Sequence, residues 1–141
     1  MTAVIAETAA TVDRRSRIFA VAGAGAATAL VWGVARLLDV DFKLYPGGGK
    51  PTQTVGFPLA VIVALLVALA GWGTLELLER FTGRARTIWT TLAVVVLLLS
   101  AVPILTTDAS GGTRTALALI HVAVAAVLIP VLPRRNAAVE Q

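Results

Sequence analysis

Four stretches of this chain hold no Asp, Glu, Lys or Arg at all: 18–35, 51–75, 87–107 and 115–133. Each is near the 20 or so predominantly apolar residues that a helix needs to cross the hydrocarbon of a bilayer. Four such runs in 141 residues leave no polar half of the chain to cover them as a soluble core. The pattern predicts an all-α membrane protein, a four-transmembrane-helix bundle with spans at about 18–38, 55–78, 87–106 and 115–132. The tails would be 1–17 and 134–141, around a membrane domain of 18–133.

Composition supports this class and removes others. Hydrophobic residues make up 57% of the chain and charged residues 14%, against about 25% charged in a soluble domain. A disordered chain needs the opposite balance. A soluble enzyme this small could not bury so much apolar surface. There is no cysteine, which removes disulfides, thiolate metal sites and cysteine nucleophiles. With His121 as the single histidine, a zinc site would need at least two carboxylates beside it. No metal and no cofactor are therefore expected. The pI of about 10.7 suggests nucleic acid only until the basic residues are placed: they stand at segment ends, as topology signals do.

Direction follows from those same residues. Arg14, Arg15, Arg17, Arg80, Arg84, Arg86, Arg134 and Arg135 fall on one side of a four-span chain, and Arg36, Lys43, Lys50 and Arg114 on the other. The positive-inside rule then puts both termini in the cytoplasm. A cleaved signal is the rival for the first span, since Arg14-Arg15-Ser16-Arg17 resembles a twin-arginine start. Arg17 stands where an apolar residue is expected, however, and the apolar run continues through Trp32 to full spanning length.

Between spans one and two, Val40, Phe42 and Leu44 alternate with Asp39, Asp41 and Lys43. That is the period of a strand. A Pro/Gly-rich turn follows from Pro46 to Pro51, so the external loop is expected to be a short β-hairpin returning through Thr52, Gln53 and Thr54. Gly47-Gly48-Gly49-Lys50 fails as a phosphate loop. Leu44 occupies the position of its first glycine, and Pro51 that of the magnesium-binding Ser or Thr. Neither nucleotide nor nucleic acid is an expected partner.

Small residues mark the helix faces. Gly23 and Ala27 in span one, and Ala64, Ala68 and Gly71 in span two, stand one helical turn apart. Such spacing lets helix backbones approach closely, either within one bundle or between copies. His121 lies about seven residues inside span four, so about 10 Å from its outer end. At that level lies Ser100 of span three, and a neutral His121 is expected to donate one ring hydrogen to Ser100 or to a backbone carbonyl. Intramembrane ionisable groups also mark proton or ligand sites. Glu76 is expected to pair with Arg80 at i,i+4, and Arg36 with either Asp39 or Asp41 at the opposite boundary. Trp32, Trp72 and Trp89 are read as interfacial anchors.

Gln53-Thr54-Val55-Gly56 opens span two, Trp72 precedes Glu79-Arg80, Trp89 opens span three, Ser100 and Pro103 close it, and His121 precedes Ile129-Pro130. In this order the chain resembles a family of small four-helix membrane proteins of unknown function, found mainly in actinobacteria. The resemblance covers about 18–133 and leaves out the Gly-rich loop tip. It implies four spans and a bacterial inner membrane, and it carries no activity.

Three function classes remain open from the sequence. The first is a non-enzymatic structural or accessory bundle, held in the lipid bilayer, that forms a homo-oligomer or packs with a membrane-protein partner. The second is a small transporter or proton-coupled permease using His121. The third is a membrane enzyme acting on a lipid-like substrate, with Asp39, Asp41 or Asp108 beside His121.

Overall fold

The computed structural model describes residues 1–133, and of residues 5–13 the backbone only. The expected C-terminal tail, with Arg134 and Arg135, lies outside the described residues. Four helices dominate: α1 Thr2–Leu37, α2 Phe57–Phe81, α3 Ala85–Thr106 and α4 Gly111–Val131. All four are long and apolar enough to cross a membrane.

They form an antiparallel bundle. α1 packs mainly on α4 and α2, and α3 packs on the same two helices from the other side. The core is built from small and branched residues, among them Ala20, Ala24, Ala64, Ala68, Leu75, Ala116, Ile120, Val124 and Leu128. On α4 the buried positions recur at three- and four-residue steps, the stripe of a helix with one face inward.

Two boundaries differ from the sequence expectation. α1 begins at Thr2, so the segment expected as a tail continues the helix. At 1.5 Å per residue the 36-residue helix is about 54 Å long, more than a bilayer core of about 30 Å requires. α4 begins at Gly111, four residues earlier than expected. The cause is a cap: the Ser110 hydroxyl accepts from the Thr113 amide at 3.1 Å, satisfying a free donor of the first turn.

The end of α1 is equally well defined. Val40 N–H donates to Ala35 O at 3.0 Å and Asp39 N–H to Arg36 O at 3.2 Å, with Asp39 at φ 59°. This is a Schellman termination, which requires one left-handed residue past the helix.

The hairpin forms as expected, and a third strand joins it. β1 Lys43–Tyr45 pairs antiparallel with β2 Gln53–Thr54, Lys43 opposite Thr54 and Leu44 opposite Gln53. Its other edge takes β3 Asp108–Ala109 from the α3–α4 connection, with Leu44 opposite Ala109 and Tyr45 opposite Asp108. The tip turns through Gly47, Gly48 and Gly49, all at positive φ, a conformation that glycine adopts without steric cost.

Candidate functional site

His121 sits ten residues into α4, so about 15 Å from the helix start. Arg114 stands in the first turn of that helix, and His121 lies seven residues beyond it, about 10 Å along the axis. Its Nδ1 lies 2.7 Å from Leu117 O one turn back. A carbonyl only accepts, so Nδ1 carries a proton. Of the two expected partners His121 takes the backbone carbonyl, and Ser100 donates to Leu97 O at 2.6 Å. Both groups satisfy themselves on their own helices, as hydroxyls and imidazoles do where no water is present.

The opposite, termini-bearing end of the bundle holds a charge cluster. Arg17 of α1, with its side chain 4% exposed, binds both carboxylate oxygens of Glu79 at 2.8 and 2.9 Å. Its Nη1 is also 3.5 Å from Glu76 Oε1. Glu76 accepts a 2.7 Å bond from the Trp72 indole. The expected Glu76–Arg80 pair is thus replaced by Glu76–Arg17. Antiparallel packing brings α1 within reach, and a planar guanidinium can serve two carboxylates at once.

At the sheet end, Arg36 does not pair with Asp39 either. Its Nη1 donates to Val40 O at 3.1 Å, and the guanidinium lies 5.8 Å from the Trp32 ring centroid. Asp39 is taken up by ending the helix. Trp32 anchors more than an interface. It stacks on Phe42 at 5.5 Å and 13°, meets Phe57 edge-on at 5.3 Å, and donates to Val55 O at 3.3 Å. Phe42 is 1% exposed and held at φ 52°. That backbone conformation costs a bulky residue about 1–3 kcal/mol, which its burial against Trp32 offsets. Around this aromatic group is a cavity of about 390 Å³, lined also by Arg36, Asp41, Thr54, Val55, Gly56 and Pro58.

Trp89 is no belt residue. It is 4% exposed, and its indole donates to Gly71 O at 2.9 Å. The small residues of the sequence pattern face inward: Ala64 and Ala68 are buried, and a Cβ on Gly23 would stand 3.1 Å from Val127. Ala27 is half-buried. These faces pack the bundle itself. Among the described residues, no three His, Cys, Asp or Glu side chains gather as a metal site.

A model of a family of unknown function, DUF6069, matches residues 8–138. The chain belongs to the DUF6069 family. The matched region takes in α2, α3, α4 and nearly all of α1, with the charge cluster, the aromatic cavity and His121. No curated protein and no solved structure matches this DUF6069 chain. Its polar residues form three separate places along the bundle, and no hydrogen bond or ion pair joins His121 to Asp39, Asp41 or Asp108 among the described residues.

Proposed function

We propose that this protein is a non-enzymatic accessory bundle of a bacterial cytoplasmic membrane, with both termini in the cytoplasm, that packs with a membrane partner through α3. One observation carries the reading. Only 6% of the α3 span is buried within the protein, against 28% for α1, and its exposed face carries Thr87 and Thr91 one turn apart. Small residues at that spacing favour close helix contact in lipid, where packing rather than hydrophobicity drives association. The faces carrying Gly23 on α1 and Ala64 and Ala68 on α2 are already occupied inside the bundle, whereas Ala22 and Ala26 of α1 remain exposed.

The absence of native cysteine makes the test direct. Thr91→Cys and Leu98→Cys on α3 should cross-link to one defined species in native membranes, and Leu66→Cys on α2 should not. Equal, diffuse cross-linking from both helices would remove the reading. Orientation is checked in the same cells: Gly48→Cys should react with an impermeant thiol reagent, and Gly83→Cys should stay unlabelled.

A second reading, a small transporter or proton-coupled permease, is supported by His121 standing within an apolar span with only its Nδ1 engaged. Flux in proteoliposomes that His121→Ala abolishes would select it over the first.

A further inference from the structure

The cavity at the sheet end combines three features that the packing of four helices does not require. First, its wall is aromatic. Phe57, 42% exposed, stands against the edge of Trp32, which Phe42 supports from below. Second, Phe42 of that wall is itself held at positive φ, apart from Asp39, whose positive φ ends α1. Strained backbone of this kind collects at ligand sites. Third, the lining holds one cation and one anion that do not pair with each other. Arg36 makes a single hydrogen bond, to Val40 O, and Asp41 is exposed and makes none.

A volume of about 390 Å³ falls in the range of small-molecule sites. The cavity lies where α1 ends and α2 begins, at the level where a lipid headgroup meets the hydrocarbon. We propose that it is a headgroup site for a zwitterionic phospholipid bearing a primary ammonium, with the phosphate on Arg36 and the ammonium on Asp41. The guanidinium offers a fork of donors that suits a phosphate. The carboxylate accepts from a primary ammonium, whereas a quaternary ammonium has no hydrogen to donate. The first carbons of the lipid lie along Phe57 and Pro58. This assignment depends on the membrane location and not on what α3 meets.

The test is native mass spectrometry of the full-length protein in mild detergent, titrated separately with phosphatidylethanolamine, phosphatidylcholine and phosphatidylglycerol. Phosphatidylethanolamine should be retained about fivefold better than the other two, the ratio that one partly exposed ion pair supplies. Asp41→Asn should erase that preference without lowering phosphatidylglycerol retention. Arg36→Gln should lower retention of all three lipids. Among the described residues Asp41 has no partner, so its variant should leave the fold intact, which thermal unfolding verifies. Equal retention of the three lipids, or an unchanged preference in Asp41→Asn, would overturn the proposal. Displacement of the lipid by equimolar phosphorylethanolamine would also overturn it, in favour of a soluble ligand.

Discussion

The indole nitrogen of Trp89, near the start of α3, donates a 2.9 Å hydrogen bond to the main-chain oxygen of Gly71 in the middle of α2. A Cβ at position 71 would lie 3.7 Å from Trp89 and 3.8 Å from Leu132, ordinary contact distances. Gly71→Ala should therefore be neutral or stabilise the bundle by up to about 1 kcal/mol, because alanine loses less backbone entropy in a helix. Trp89→Phe should cost about 1 kcal/mol through the lost bond. Gly23→Leu meets Val127 at once and should cost about 1–3 kcal/mol by overpacking. Thermal unfolding in one detergent ranks all three, and a destabilised Gly71→Ala would contradict the packing described.

Arg17 and Glu79 form the tightest ion pair of the described chain. Removing one partner of a buried pair leaves the other charge uncompensated. Since Glu79 keeps 22% of its side chain exposed, Arg17→Gln should cost about 3 kcal/mol, the lower end for such pairs. Glu76 is 3.5 Å away and half exposed, so Glu76→Gln should cost less than about 1 kcal/mol. If the two variants unfold at the same temperature, the pair does not hold α1 to α2.

Asp39 ends α1 in the left-handed region. Glycine takes that conformation freely, so Asp39→Gly should match or exceed the native stability. Asp39→Val should fall by about 1–2 kcal/mol, the cost of a branched side chain there. Comparable melting of the two variants would argue against the Schellman termination.

The tautomer of His121 can be read directly. The bond to Leu117 O requires the proton on Nδ1. Nitrogen-15 NMR of the ring in lipid should find Nδ1 protonated. A proton on Nε2 alone would mean that the imidazole has turned to another acceptor. On the accessory reading His121→Leu retains the cross-link from Thr91→Cys unchanged.

The sequence carried the helices because lipid permits little else: charge-free runs and their charged ends set the spans to within a few residues. The hairpin was visible in the alternation from Asp39 to Leu44. Strand β3 was not, because two residues show no period. The partners of Arg17 and Glu76 were hidden for a different reason. A local rule finds Arg80 four residues away, whereas Arg17 stands 62 residues from Glu79 in the chain and meets it only after α1 folds back along α2. Trp89 looked like an anchor from its place near a helix start. Gly71 was the clue to its inward turn, being a small residue with room for a large one opposite.

Strand β3 also constrains how the bundle can move. By bonding to β1 it ties the α1–α2 connection to the α3–α4 connection, so the two helical hairpins share a clasp at one end. At the other end, the α2–α3 turn joins them covalently. Sliding of one hairpin past the other would break the clasp, whereas splaying about it would not. Splaying is opposed instead by the α2–α3 turn, so the two hairpins are held at both ends, while the Arg17–Glu79 pair fastens α1 to α2 within the first of them.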